Sequence, residues 1–363
     1  MKRIFPILCV GMGLVGFCAT GFADSAAFGV ASAFNLVALN GNITVGSDVT
    51  GRAAASGTIT GNSFGADLQG STPGQGNDLW GALAQGYELV TDGGVKGSGV
   101  SIGGGGNVWA SSSSGTQSSQ FNWNDGGHLV TGPASSSIVD YSTLASSLSS
   151  LSGDLGNLAQ SSNVSITGPS NSTNNELLLS TTSKTIGTYI FDITSAQFAT
   201  SNGLNIEVPL GSTVLINVDA LAVTTTSGST TTTTYPVSLV GSVTFNGSQE
   251  SINTITNGVI TGGNNDEGKI LFNFANATSV NIGNELVGAV LAPNAAFTGS
   301  NQMGGTVMAA SINYSGEIHN VEFTGTLPSV PEGGSAWSFL LLGAMVSMGA
   351  LWWRKSGQAG EAA

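Results

Sequence analysis

Two histidines, His128 and His319, are the only imidazoles in the chain, and nearly two hundred positions separate them. Each reads as a hydrogen-bonded structural residue rather than as a general base. Glycoside hydrolysis needs two facing carboxylates, and the nineteen Asp and Glu between Asp24 and Pro331 offer candidates without a spacing that pairs any two. A lyase acting on acidic polysaccharide needs cationic side chains to neutralise the uronate and take its proton. Only Arg52, Lys96, Lys184 and Lys269 are available for that, and they are scattered. Calcium would be held by an Asp-x-Asp-x-Asp loop or a Gly-Gly-x-Gly-x-Asp repeat, and neither is present; Asp266 and Glu267 are the one adjacent acidic pair. The glycine runs 93–94 and 103–106 lack the Lys-Ser or strand-to-helix context of a phosphate loop and read as turns. No catalytic residue, metal ligand or cofactor site is expected, and the chain is read as a non-enzyme.

Four basic against nineteen acidic side chains give the stretch from Asp24 to Pro331 a charge of about −15. Such a surface repels nucleic acid and anionic lipid, whose binding depends on clustered Lys and Arg, so a nucleic-acid partner is excluded. Diluted among Gly, Ser, Thr and Asn, the acidity serves solubility. Apolar residues are too frequent and too regularly placed for a disordered chain, so the body should fold.

The two ends point to export. Lys2 and Arg3 precede an apolar stretch from Ile4 to Phe22 that closes on Gly21-Phe22-Ala23, the order of a secretory signal peptide, with cleavage expected between Ala23 and Asp24. Both cysteines, Cys9 and Cys18, lie inside it, so no disulfide stabilises the mature chain. At the other end Val330-Pro331-Glu332-Gly333-Gly334 leads into an apolar run from Ala336 to Trp353, followed by Arg354 and Lys355. Eighteen helical residues at about 1.5 Å each come close to the roughly 30 Å hydrocarbon core of a bilayer. The basic pair then acts as a membrane stop on the cytoplasmic side.

Between the ends the pattern is short and β-like: 34–39, then Ile43, Val45 and Val49 alternating with polar or small residues, and further strands at 100–102, 186–193, 214–218, 237–245, 270–274 and 280–282. One segment differs. Leu144, Leu148, Leu151, Leu155 and Leu158 recur by four, three, four and three, which predicts a helix over about 140–160, capped by Asp140 and lying on its own domain. Residues 288–299 align with 305–316 at a distance of seventeen, and 51–61 is a looser copy. A period this short suits the stacked coils of a β-solenoid, with small residues at tight corners. Two polar tracts interrupt the pattern, Ser111 to Gln120 and Thr224 to Thr234; the second reads as a hairpin or loop inserted between strands. An ice-binding face would need threonines in register on successive coils. Thr58-Ile59-Thr60 is one such triplet, and the sequence does not repeat it cleanly.

The Pro-Glu signature at Pro331, Glu332, Gly333 and Gly334, the single apolar helix and the Arg354-Lys355 pair resemble the PEP-CTERM sorting signals, in a form similar to their VPDSG-type variant. The resemblance implies recognition by an exosortase-like enzyme and delivery to the surface or extracellular polymer of a Gram-negative bacterium. The blocks 33–57, 214–218, 270–274, 291–295 and 316–320 resemble, in the right order, the choice-of-anchor A domain. That family implies an extracellular adhesin on a varied C-terminal anchor and no established catalytic residue. Strands, one helix, then more strands are also similar in architecture to ice-binding adhesin solenoids.

The expected fold is mainly β: a right-handed β-solenoid-like body with one amphipathic α-helix packed alongside, and a C-terminal single transmembrane helix. The expected segments are a signal peptide over 1–23, the choice-of-anchor A-like domain over 24–325, a linker with the sorting motif over 326–335, the membrane helix over 336–353 and a basic tail over 354–363. The expected function is that of an exported surface or matrix-associated adhesin. The expected partners are signal peptidase, an exosortase-like sorting enzyme, the membrane through the C-terminal helix, and extracellular polysaccharide or another surface protein as ligand. A polysaccharide-acting enzyme on a parallel β-helix and an ice-binding-like solenoid are the alternatives.

Overall fold

The computed structural model of the chain describes residues 24–65, 86–124, 126–133, 138–168, 175–239, 241–245, 248–249, 255–256, 259–260 and 267–328. The signal peptide through Ala23, the sorting motif 331–334, the apolar run 336–353 and Arg354-Lys355 lie outside the described residues. Among the described residues no helix is long and apolar enough to cross a membrane.

The body is a stack of parallel β coils with three faces. On the first face ten strands run parallel in the spatial order 129–132, 107–111, 87–91, 53–55, 36–38, 307–314, 289–299, 270–273, 213–219 and 188–194. The second face carries seven: Val95–Lys96, Ile59–Thr60, Ile43–Val45, the far halves of 307–314 and 289–299, Ser279–Ile282 and Pro236–Leu239. The third includes Phe121–Trp123, Val100–Ile102 and Ser63–Phe64, with Val49 bridging from Phe64 to Ile318.

Chain order and spatial order differ. From Leu36 the coils climb to Leu129–Gly132; helix α1 (Tyr141–Gly156) then returns along the stack, and new coils run from Thr188 back toward the first. The last coil therefore pairs with the first, Leu36 with Val307 and Ile43 with Ile312. Main-chain bonds stitch this seam, Val307 N to Asn35 O at 2.7 Å and Thr50 N to Ile318 O at 2.9 Å, and Thr50 Oγ1 accepts from Asn320 N at 2.7 Å.

Two apolar layers share the first-face strands. Inward side chains such as Leu36, Ile43, Phe272, Phe297 and Ile312 fill the solenoid. Outward ones, among them Val37, Val90, Leu215, Leu271, Leu291 and Met308, are covered by α1 and by Phe28, Phe323 and Leu327. Strands buried on both sides read as continuous apolar runs, which is why 214–218 and 270–274 show no alternation. The second face is covered only from inside, and its strands alternate: Ile43 and Val45 buried, Thr44 exposed.

The leucine stripe lies on the sheet as the spacing predicts, with Leu144, Leu148 and Leu155 buried and Leu151 and Leu158 partly so. Asp140 is the N-cap and accepts from Thr143 N at 3.1 Å. The helix ends at Gly156, four residues before the expected limit, and Asn157 caps it. The seventeen-residue repeat holds for Val290, Leu291 and Ala292 against Val307, Met308 and Ala309. Then the register slips by two, so Phe297 meets Ile312 instead of Tyr314, because the 289–299 coil turns its corner with two extra residues. The Thr tract is a hairpin, Val223–Ser227 against Thr230–Thr234, turning at Gly228 with φ +62°. In the polar tract from Ser111 to Gln120, Ser112–Ser114 and Ser118–Gln120 form two short 3-10 turns.

Candidate functional site

The helix α1 lies on the first face and leaves the second face open. Its outward positions come into one register row: Lys96 beside Thr60, Thr60 beside Thr44, Thr44 beside Asn313, Asn313 beside Thr298, Thr298 beside Asn281 and Asn281 beside Ser238. At about 4.8 Å per strand the seven positions form a ladder roughly 29 Å long. Ser311, Ala296, Ser279 and Pro236 make a second row two residues earlier on their strands.

The side chains that hold the ladder are directly beneath it. Ile59, Ile43, Ile312, Phe297, Val280 and Val237 point inward between the outward positions and are buried. The row is also braced sideways: Thr298 Oγ1 lies 3.1 Å from Asn281 Oδ1 and 3.3 Å from Val280 O, and Thr58 N donates to Asn42 Oδ1 at 2.8 Å. Apart from Lys96 at one end the ladder is uncharged. It offers hydroxyl and amide donors and acceptors at a constant repeat, with threonine methyls between them. That arrangement has no group suited to bond making; it suits contact with a surface that itself repeats.

The remaining candidates do not converge. His128 is exposed near the 129–132 end of the stack, while His319 is buried in the last coil with Nε2 3.9 Å from Glu317 Oε2, so the two histidines share no site. Arg52 is buried against Glu88, Nε to Oε2 3.7 Å. A cavity of about 330 Å³ at the C-terminal end of α1 gathers Asp192, Asp219, Asn217, Asn273 and Asn276. Its carboxylates already accept from amides, Asp192 Oδ1 from Asn217 Nδ2 at 3.0 Å and Asp219 Oδ1 from Asn276 Nδ2 at 2.8 Å. The same amides tie α1 to the sheet: Asn217 Nδ2 donates to Leu155 O at 3.0 Å, Asn273 Nδ2 to Ser152 O at 2.9 Å, and Ser152 Oγ to Asn273 Oδ1 at 2.5 Å. No lysine, arginine or histidine lines this cavity. Among the described residues no cluster of three His, Cys, Asp or Glu could hold a metal ion. Of the processing residues only Asp24 is described, as the first residue of a 3-10 segment, Asp24–Ala33.

Sequence reading found the Thr58-Ile59-Thr60 triplet but not the row that Thr60 belongs to. The signal for the row is the alternation of buried and exposed positions on each short strand, read together with the pairing register.

Compared with known proteins, residues 27–320 match the family model described as "Putative Ice-binding-like adhesive domain". A search of curated proteins finds no match. Among solved structures, the chain is similar to the ice-binding protein of the Antarctic ascomycete Antarctomyces psychrotrophicus, with 13% identity, 83% of this chain and 98% of that chain covered, and a TM-score of 0.35. It is also similar to a glycosylated ice-binding protein of an Arctic yeast, with 13% identity, 84% and 96% covered and a TM-score of 0.37. An ice-binding protein from an Antarctic biological consortium gives 11% identity, 87% and 95% covered and a TM-score of 0.32.

Proposed function

From the premise that this chain belongs to the ice-binding-like adhesive domain family, we propose that it is an exported adhesive protein of the cell surface or extracellular matrix, and that the Thr–Asn ladder of the second face is its adhesive surface. The observation that carries the reading is the register row from Lys96 to Ser238 on the second face, which α1 leaves open. A neutral row of hydrogen-bonding groups meets a polymer with its own repeat at many points at once, each weak and together strong. Extracellular polysaccharide is the ligand class this favours, and the protein acts by binding rather than catalysis, in keeping with the separated histidines and a carboxylate cavity that no cation lines.

The finer features belong to the same proposal. The domain is of the choice-of-anchor A type. Signal peptidase cuts between Ala23 and Asp24, and an exosortase-like enzyme recognises Pro331 to Gly334 while the 336–353 helix and Arg354-Lys355 hold the chain in the inner membrane. Replacing Arg354 and Lys355 by Ala is expected to reduce surface display, and unchanged display counts against the sorting step.

The test is co-sedimentation of the exported protein with insoluble polysaccharide from the producing cells, beside partition into slowly growing ice. Thr44→Tyr puts a bulky ring in the middle of the row without touching the core, since Thr44 points outward between two buried residues. Polysaccharide binding that falls at least tenfold in Thr44→Tyr, with unchanged thermal stability, supports the reading. Partition into ice that Thr44→Tyr abolishes favours ice as the ligand, a reading that the hydroxyls in register also allow. Binding that Thr44→Tyr leaves intact removes the ladder from the account.

A further inference from the structure

The hairpin Val223–Ser227/Thr230–Thr234 stands between the first-face strand Thr213–Asp219 and the second-face strand Pro236–Leu239, and every one of its residues is exposed on both sides of the ribbon. A two-stranded ribbon that buries nothing gains little from folding, so its composition answers to something outside the domain. That composition is unusual for an open edge. Natural edge strands carry charge, proline or a bulge against pairing with other chains. From Ala220 to Gln249 the sequence has no charged residue, in a protein whose net charge is −13.

Three other edges of the fold are capped or covered. Val95 N donates to Thr116 Oγ1 at 3.0 Å, and Gln120 Nε2 donates to Gly97 O at 3.1 Å, which caps one end of the second face. At the other end the short helix α2 (Ser195–Thr200) packs against Pro236–Leu239, with Phe198 buried beside Phe272 and Phe274. Along the outer edge of Thr188–Thr194, Ile190 N donates to Ser161 Oγ at 3.0 Å and Asp192 N to Gln160 Oε1 at 3.3 Å. Among the described residues the first hairpin strand has no such cover.

Which groups it offers follows from the ladder. Antiparallel pairs alternate between hydrogen-bonded ones and closer, non-hydrogen-bonded ones whose backbone groups turn outward. Thr224 with Thr233, and Thr226 with Thr231, bring their hydroxyls to 3.2 and 3.3 Å and mark the close pairs. Thr224 and Thr226 therefore direct N–H and C=O to the free edge of the first strand. At the base of that strand Leu221 and Val223 are 45% and 44% exposed, two of the four large apolar side chains left so open among the described residues.

We propose that the first hairpin strand is a docking edge for a second copy of this chain: two copies pair Val223–Ser227 antiparallel about a two-fold axis, making a four-stranded threonine ribbon that crosslinks two adhesive bodies. A copy is the occupant because the strand is self-complementary, hydroxyl against hydroxyl, and because two bodies of like charge approach with least repulsion along their uncharged segments. Screening should help: raising salt from 10 to 150 mM shortens the Debye length from about 30 to about 8 Å and strengthens association instead of weakening it.

Sedimentation velocity on the exported protein, across concentrations and at both salts, is the test. The expected result is a concentration-dependent doubling of mass. Thr224→Pro with Thr226→Pro removes the two outward N–H donors while sparing the hairpin's own bonds, and should weaken dimerisation at least tenfold; Thr231→Pro with Thr233→Pro, on the opposite edge, should leave it unchanged. A protein monomeric at every concentration overturns the proposal, as does a dimer indifferent to the first pair of prolines or abolished only by the second. Sugar found on the hairpin threonines of the exported protein, by intact mass, also overturns it, because glycans would block the edge.

Discussion

Leu148 sits in the middle of α1, 1% exposed, between the helix and the outward side of the first face, whereas Leu151, one turn on in the same stripe, is only partly buried. A sequence stripe treats the two alike; the structure separates them. Truncating a fully buried leucine removes its transfer free energy and leaves a cavity, together about 3 kcal/mol, and a half-covered one costs about 1 kcal/mol. The sheet beneath belongs to ten hydrogen-bonded strands and can relax little toward the gap. In a domain of this size a kilocalorie shifts the melting temperature by about 2 °C, so Leu148→Ala should melt about 6 °C lower and Leu151→Ala about 2 °C lower. Calorimetry with matched urea titrations reads both. Because α1 covers the first face and the ladder is on the second, Leu148→Ala held well below its melting point should bind its ligand as the parent does. Equal losses for the two leucines, or a loss below about 1 kcal/mol for Leu148, would refute the account of how the helix is held; a folded Leu148→Ala that no longer binds would refute the division of labour between faces.

The corner glycines make a second set of contrasts. A Cβ on Gly316 would lie 1.8 Å from the main-chain oxygen of Asn301 in the adjacent coil, so Gly316→Ala should cost about 2 to 3 kcal/mol in urea titration, while Gly153 in α1 has no atom within 4 Å and Gly153→Ala should add about 1 kcal/mol. Tyr141 donates from its hydroxyl to Val90 O at 2.9 Å in a buried setting, and Tyr141→Phe should lose about 1 kcal/mol by the same titration. The bonds from Thr143 N and Oγ1 and from Ser142 hold the Asp140 carboxyl below its ordinary 3.8. A lowered folded pKa contributes stability that is complete above the unfolded value and is lost as pH falls through the folded one. Melting curves of the parent should therefore drop below about pH 4 more steeply than those of Asp140→Ser, which keeps a cap that does not titrate.

Much of the fold could be read from residues near one another in sequence. The helix was legible because its leucines meet one flat neighbour, and the first-face strands 213–219 and 270–273 because burial on both sides leaves unbroken apolar runs. The hairpin was legible from Gly228 and Ser229 inside a threonine tract. Strands such as Asn107–Ser111, Leu177–Thr181 and Gly203–Glu207 have five residues each, too few to display a period. The ladder escaped for a different reason. Its neighbours are separated in sequence by 16 positions from Thr44 to Thr60, by 17 from Asn281 to Thr298, by 15 from Thr298 to Asn313 and by 43 from Ser238 to Asn281. Thr44 meets Asn313 across nearly the whole domain. No search at a fixed period finds such a row, because inserted hairpins and corner residues alter each coil's length while backbone pairing keeps its strands in register.

The path of the last described residues bears on how the ladder would be presented. Beyond His319 the chain follows the strand-entry side of the first face: Thr324 N donates to Gly268 O at 2.6 Å, Thr326 N to Thr213 Oγ1 at 2.8 Å, and Thr188 Oγ1 to Thr326 O at 3.0 Å. Gly268, Thr213 and Thr188 all stand where first-face strands begin, and the second face begins where those strands end. Through Leu327 the described chain thus stays on the side of the solenoid away from the Thr–Asn row, with Phe323 and Leu327 packed into the apolar layer that α1 also covers. The strands these bonds reach, 270–273, 213–219 and 188–194, are the last three at one end of the first face, whereas the first and last coils are joined in mid-stack by Thr50, Asn35 and the pairing of Leu36 with Val307. Four ladder positions, Ser238, Asn281, Thr298 and Asn313, stand on the same side of that seam as the C-terminal path, and three, Thr44, Thr60 and Lys96, stand beyond it. A load entering through residues 324–327 would therefore reach Ser238, Asn281, Thr298 and Asn313 along continuous parallel ladders and would cross the seam only to reach Thr44, Thr60 and Lys96, so the seam determines how evenly the two halves of the row share it.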